Sequence, residues 1–97
     1  MAVYLVTWDL NREGSNYASA RIKFLNLLDT FTDNRKDSGL DSVRFISVSW
    51  NAEEIRDYLR TALDSNDTLF VTRIHPKSSE RAGWMNEETW KWIESHE

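Results

Sequence analysis

The chain has 97 residues, a formal net charge of −4 and 12% aromatic residues, with five Trp and no Cys. The lack of Cys excludes a disulfide framework, a thiolate zinc site and a Cys nucleophile, and the acidic balance disfavours broad binding of nucleic-acid phosphates. No apolar run approaches the roughly 20 residues of a membrane span and the N-terminus lacks a signal-peptide pattern, so we expect one cytoplasmic domain over residues 1–97 and no membrane partner.

The first predicted element is an apolar, β-prone run, Val3 to Trp8, that ends on the carboxylate of Asp9. A polar turn containing Gly and Asn residues follows it. A carboxylate at a strand end is held by the sheet and exposed at its edge, so the Asp9 side chains of two paired chains would hold a divalent cation between them. The alternative interpretation is that Asp9 only ends the strand and hydrogen-bonds the turn.

Two helices and two further strands are predicted after this turn. The first helix runs from Tyr17 to Phe31, where apolar residues recur at helical spacing. The next segment is a polar loop or short edge strand, and β character returns from Ser42 to Trp50. Asn51 and Glu54 have the spacing of a capping box, which opens the second helix. The last strand covers Thr68 to Ile74.

The order of these elements indicates an α+β fold. If the region from Asn34 to Trp50 holds two strands, the chain reads βαββαβ, which is the split βαβ or ferredoxin-like arrangement. That arrangement is an antiparallel four-stranded sheet with two helices on one face. Its second strand would be a short edge strand, where polar residues are tolerated, because Leu40 is the single large apolar residue between Asn34 and Leu40.

Both faces of the predicted sheet carry apolar side chains. With Val3 and Leu5 placed toward the helices, the other face presents five large apolar residues: Tyr4, Val6, Trp8, Phe45 and Phe70. Because a monomer rarely exposes such a patch, we predict that these residues form the interface of a two-fold homodimer. The competing interpretation is a stacking platform for single-stranded nucleic acid, which the acidic charge disfavours.

The C-terminal extension, residues 82–97, is rich in Trp and predicts a short third helix. Asn86 is placed to cap this helix, and Glu87 and Glu88 follow at the positive end of the helix dipole. Met85 is placed to pack against Trp90. We expect the Trp residues of the extension to be packing anchors against the sheet or against a partner subunit.

Three stretches of the sequence resemble one protein family. They are V-Y-L-V-T-W-D-L from Val3 to Leu10, S-V-S-W-N-A-E-E-I-R-D-Y-L from Ser47 to Leu59, and L-D-S-N-D-T-L-F-V-T-R-I from Leu63 to Ile74. With the Ala82-Gly83-Trp84 tail, they resemble the small bacterial proteins labelled SinR-like, which are similar to the CRISPR-associated Cas-two family and, more remotely, to VapD-type toxins. The resemblance implies a ferredoxin-like homodimer. It also implies metal-dependent phosphodiester cleavage by the carboxylate that ends the first strand, which is the position of Asp9.

Two functions are open at this point. One is a non-enzymatic dimeric module that binds protein or nucleic acid. The other is a toxin-like or defence-related nuclease of RNA or DNA, in which the Asp9 pair binds Mg²⁺ or Mn²⁺ and is catalytic. In that case Asn11 and Arg12 are the candidate substrate-binding residues, and His75 is a candidate base. His96 is expected to lie in a frayed terminus. The sequence contains no glycine-rich phosphate loop, nucleophile elbow or His-based metal motif.

Overall fold

The computed structural model describes residues 2–11, 17–76 and 81–97 of the chain. In chain order its elements are β1 (Ala2–Asp9), α1 (Tyr17–Asp29), β2 (Asn34–Arg35), β3 (Val43–Val48), α2 (Ala52–Arg60), β4 (Thr68–Arg73) and α3 (Glu87–His96). The strands form one sheet in the order β2-β3-β1-β4, and every adjacent pair is antiparallel. The predicted α+β class with a four-stranded antiparallel sheet is confirmed, and β1 lies at its centre with β4 at one edge.

One face of the sheet carries the main core. Tyr4, Val6 and Trp8 of β1 are at most 8% exposed and pack with buried residues of both α1 and α2. The helix residues buried in this core are Phe24, Leu28, Ile55 and Leu59. The Trp8 and Phe24 rings pack with their centroids 5.0 Å apart. Tyr4, Val6 and Trp8 are therefore core side chains beneath the helices, and the open face predicted for them is wrong.

The physical reason for this error is visible along β1. Its even-numbered apolar series continues through Leu10, which is buried in the same core, whereas its odd-numbered series turns polar at Thr7 and Asp9. Side chains alternate between the faces of a strand, and the longer apolar series belongs against the face that two helices cover. Val3 and Leu5 consequently lie on the opposite face, not under α1 and α2 as predicted.

The opposite face of the sheet carries a smaller core beneath α3. Val3 of β1, Phe45 of β3 and Ile93 of α3 are each at most 3% exposed there. Phe70 of β4 lies on the same sheet face by register, but it is 59% exposed. The predicted interface residues are thus divided between three environments, because Phe45 is covered by the chain's own C-terminal helix and Phe70 is open to solvent.

Both predicted helix N-caps, Asn51 and Asn86, are confirmed by their hydrogen bonds. Asn51 Oδ1 accepts a hydrogen bond from the Glu54 N–H at 2.8 Å, and Glu54 Oε1 accepts one from the Asn51 N–H at 3.1 Å, which completes the capping box of α2. At the start of α3, Asn86 Oδ1 accepts from the Glu88 N–H at 3.0 Å. These contacts satisfy N–H groups that have no partner within the helix.

Helices α1, α2 and α3 have 13, 9 and 10 residues. No helix in the described ranges is long and apolar enough to cross a membrane.

The predicted short edge strand is also confirmed, and polar contacts hold it in place. β2 has two residues, and Asn34 pairs in register with Ile46 of β3. Arg44 of β3, whose side chain is 9% exposed, donates from Nη1 to Asn34 Oδ1 at 2.9 Å and to Asp29 Oδ1 at 2.7 Å. One guanidinium therefore joins the end of α1 to the edge of the sheet, which explains how so polar a strand is retained.

Candidate functional site at the end of strand β1

Asp9 lies where the central strand leaves the sheet. β1 is paired with β3 on one side and with β4 on the other, and Asp9 is in register with Thr68. Neighbouring strands hold the backbone of the strand end, while the residue itself is exposed. The structure thus places Asp9 at an accessible and well-supported strand end, as its position in the sequence predicts.

Asp9 lines a polar cleft of about 370 Å³ that no pattern in the sequence predicted. The cleft lies between the end of β1, the first turns of α1 and the segment that joins β2 to β3. Its polar lining residues are Asp9, Tyr17, Arg21, Lys36, Asp41 and Ser42. The residues that line this small volume therefore include two acidic and two basic ones, and their formal charges sum to zero. Such a lining suits a ligand that carries charge of both signs.

The ligand set around Asp9 is small for a metal site within one chain. Asp41 is the other carboxylate of the cleft. Within residues 2–11, 17–76 and 81–97, no three Asp, Glu or His side chains cluster in the manner of a metal site. A Mg²⁺ or Mn²⁺ ion at Asp9 would therefore take further ligands from water, from a substrate phosphate or from a second chain. The pairing of two Asp9 carboxylates across a two-fold axis stays a prediction.

Of the two predicted substrate-binding residues, Asn11 and Arg12, the structure describes Asn11 only. Asn11 is half-buried, and its backbone N–H donates to Asp67 Oδ1 at 2.9 Å. Asp67 Oδ2 also accepts from the Asp64 N–H at 3.0 Å, so this one carboxylate joins the end of β1 to the turn before β4. Arg12 lies outside the described residues. One interpretation of the sequence was that Asp9 hydrogen-bonds the turn after β1. The structure shows a hydrogen bond to this turn from Asp67, which is far from Asp9 in the sequence.

His75 lies at the other end of the sheet from Asp9. The Ile74 N–H donates to the Val3 carbonyl oxygen at 2.9 Å, which places His75 beside the start of β1. Asp9 is six residues further along this strand than Val3, about 20 Å at roughly 3.4 Å per residue. His75 is therefore too far away to act as the base in a reaction at the Asp9 site of the same chain.

Sequence reasoning missed Asp37, which is the most highly connected carboxylate in the described structure. Asp37 is 3% exposed and accepts hydrogen bonds from the Thr89 hydroxyl at 2.6 Å, from the Gly39 N–H at 2.9 Å and from the Asn86 N–H at 3.1 Å. The Thr89 hydroxyl, with these two N–H groups and the charge of Arg35, holds the pKa of the Asp37 carboxyl below its ordinary value. Asp37 binds the start of α3 to the loop after β2, and its role is structural.

His96 belongs to α3 and not to a frayed end. Its ring stacks on Trp92, with the centroids 4.1 Å apart, and its Nε2 lies 3.7 Å from Asp33 Oδ1. Ser95 Oγ lies 2.9 Å from His96 Nδ1, so a Ser, a His and an Asp are neighbours. Nδ1 is also 2.7 Å from the Trp92 carbonyl oxygen, which only accepts hydrogen bonds. The Ser95 hydroxyl donates to this same carbonyl oxygen at 2.9 Å, so its proton is directed away from His96 and the three residues do not form a nucleophile and base.

The Trp residues of the extension are anchors only in part. Trp90 and Trp92 are half-buried against the core beneath α3, as expected. Trp84 is fully exposed at the rim of an apolar groove of about 390 Å³, which Met85 and Trp90 also line. Trp84 therefore adds no packing to the fold of the single chain.

The sequence matches no protein-family model, and no similar sequence is found among curated proteins. The resemblance to SinR-like and Cas-two proteins therefore stays a prediction from the sequence. Two features of the molecule are accessible to a ligand or a partner: the cleft beside Asp9, and the outer edge of β4 with its exposed Phe70.

Proposed function

We propose that this protein has a ferredoxin-like fold of the SinR-like and Cas-two kind and is a cytoplasmic, non-enzymatic homodimer that binds protein or nucleic acid. The strand order supports the fold, because β3 separates β1 from β2 and β1 separates β3 from β4. Helices α1 and α2 each connect two strands that flank a third. Two such units make up the split βαβ arrangement.

The outer edge of β4 is the observation that carries the dimer. Among the described strands β4 pairs with β1 alone, so its other side presents a row of N–H and C=O groups. Phe70 in the middle of this strand is 59% exposed. An edge strand of this kind is a template for pairing with another chain. A two-fold axis through β4 pairs the strand with its own copy, which is the self-complementary contact of most homodimers.

Replacing Phe70 with Asp tests this dimer. Wild-type protein at about 50 μM is expected to sediment as a dimer, since a Kd near 1 μM leaves little monomer at that concentration. Phe70→Asp is expected to sediment as a monomer with an unchanged circular dichroism spectrum. Ile22→Asp is the matched control, because Ile22 is 57% exposed but lies on α1, away from β4. A monomeric wild type, or equal effects of the two substitutions, would contradict the proposed interface.

A second candidate function, a metal-dependent nuclease, is favoured by the surroundings of Asp9. Its carboxylate is exposed at a strand end, and Arg21 and Lys36 of the same cleft are suited to phosphate oxygens. Dimerisation through β4 would keep the two Asp9 residues too far apart to share a metal ion. Asp9 is on β1, one strand in from β4, so the two Asp9 residues would be three strand spacings of about 4.8 Å, about 14 Å in all, apart across the sheet. The total distance would be longer, because antiparallel pairing of β4 places the two Asp9 residues toward opposite ends of the combined sheet. Carboxylates that share an ion at oxygen distances of about 2.0–2.6 Å lie much closer, so the two arrangements exclude each other.

Cleavage assays separate the two functions. Single-stranded and double-stranded RNA and DNA are incubated with Mg²⁺ or Mn²⁺ and with wild type, Asp9→Asn or Asp57→Asn, the last being an exposed carboxylate of α2 outside the cleft. The non-enzymatic proposal expects equal, background-level cleavage from all three proteins. Metal-dependent cleavage by wild type and Asp57→Asn that is absent in Asp9→Asn would establish the nuclease instead.

A further inference from the structure

The cleft beside Asp9 is lined by four charged residues that form no ion pair within the described part of the chain. Asp9, Arg21, Lys36 and Asp41 are all exposed. The ion pairs found among the described residues join other side chains. The two negative and two positive groups thus share one cleft without neutralising each other in pairs. Their charges are available to a ligand.

We infer that this cleft binds a small zwitterion of the amino-acid type, with its ammonium group near Asp9 and Asp41 and its carboxylate near Arg21 and Lys36. A simple anion would meet two carboxylates here, and a simple cation would meet two cationic groups. A zwitterion offers each pair an opposite charge, and it leaves the cleft neutral. Charge-assisted hydrogen bonds to both of its ends then contribute to the affinity.

Size and position also fit a small ligand. The cleft, at about 370 Å³, falls in the range of small-molecule pockets, about 300–1,000 Å³. Its lining comes from β1, α1 and the segment between β2 and β3, and none of the lining residues belongs to β4. Binding in the cleft therefore does not depend on the proposed dimer, and it requires no reaction.

A series of amino acids with increasing charge separation tests the inference. Glycine, β-alanine, γ-aminobutyrate and ε-aminocaproate are titrated into the full-length protein at neutral pH, and amide shifts are followed by NMR. Butyrate and butylamine serve as probes with a single charge. At least one zwitterion is expected to bind tenfold more tightly than both of these and to shift residues that line the cleft.

Variants locate the two ends of the ligand. Asp41→Asn and Arg21→Gln are each expected to weaken the best zwitterion about tenfold, the effect of losing one hydrogen bond to a charged group. Lys36→Gln repeats the test at the cationic side, and Glu94→Gln, an exposed carboxylate of α3, is expected to bind like wild type. Equal binding of zwitterions and single-charge probes overturns the inference. Tighter binding of inorganic phosphate, or of phosphate with Mg²⁺, also overturns it and points to a phosphorylated ligand.

Discussion

Replacing Ile93 with Ala measures how much α3 contributes to the fold. Ile93 is 1% exposed and packs with Val3 and Phe45 against the face of the sheet opposite α1 and α2. The substitution removes three carbon atoms, a transfer loss of about 2.4 kcal/mol at about 0.8 kcal/mol each. A cavity adds to this cost, but Ile93 also lines the groove beside Trp84, so its surroundings have room to relax. We expect the free energy of unfolding to fall by about 3 kcal/mol and the Tm to fall by roughly 12–24 °C.

Urea denaturation followed by Trp fluorescence is the assay, since Trp90 and Trp92 lie on the same helix and report its release directly. Glu94→Ala is the matched control, because Glu94 is the next residue of α3 and is exposed. It is expected to change the free energy of unfolding by less than about 0.5 kcal/mol. If Ile93→Ala were no less stable than Glu94→Ala, α3 would not be docked on the sheet as described, and the apolar face beneath it would need another cover.

Three further predictions concern the caps and the C-terminal extension. Asn51→Ala is expected to lower the free energy of unfolding by about 1 kcal/mol in urea denaturation, because it removes the cap of α2. Hydrogen bonds, first from Thr89, lower the pKa of Asp37 in the folded state, so its contribution to stability is complete above its unfolded pKa of about 3.9 and is lost as the pH falls through the lower folded value. Acid titration followed by circular dichroism should therefore show a shallower loss of stability below about pH 4 in Asp37→Asn, and equal slopes would contradict this. Deleting residues 83–97 should uncover the sheet face beneath α3 and increase the binding of a fluorescent hydrophobic dye, whereas unchanged dye binding and Tm would show that the extension is not packed.

Elements with local signals were predicted well from the sequence. α2 is the clearest case, since Asn51 and Glu54 are three residues apart and their hydrogen bonds depend on nothing outside that turn. The cap of α3 at Asn86 is equally local. For this reason both helix N-caps were predicted to the residue. The polar edge strand was predicted only because edge strands tolerate polar residues. The Arg44 contacts that hold it in place were not predicted, since they join residues from three elements.

The faces of the sheet and the composition of the site depended on distant contacts. Up to Trp8, the odd-numbered and even-numbered apolar residues of β1 are nearly equal in number. Leu10 extends the even-numbered series, and it identifies that series as the one beneath α1 and α2. The turn from Asp37 to Gly39 has a local signature, but the other partners of Asp37 lie 49 and 52 residues away, at Asn86 and Thr89. Likewise, Arg21 and Asp41 become neighbours of Asp9 only when the chain folds. Spacing in the sequence carries no information about such contacts.

The lack of Cys in the chain makes the geometry of the proposed dimer directly measurable, because one introduced Cys is then the only thiol. In a two-fold antiparallel pair, a residue lies opposite its own copy only at the axis, and only there are the two Cα atoms within disulfide reach, about 4.4–6.8 Å. We therefore expect one of four substitutions, Leu69→Cys, Phe70→Cys, Val71→Cys or Thr72→Cys, to form an oxidised dimer in high yield while its neighbours form little.

Asp9→Cys, oxidised under the same conditions, distinguishes the two possible dimers. Pairing through β4 leaves at least about 14 Å between the two strand ends, so no disulfide is expected from Asp9→Cys under the same oxidation. An efficient cross-link at this position, with none along β4, would bring the two strand ends together at the axis. Two Asp9 carboxylates would then repel each other and gain from a shared cation. That single result would contradict the β4 interface and make the metal-dependent nuclease the better supported of the two proposed functions.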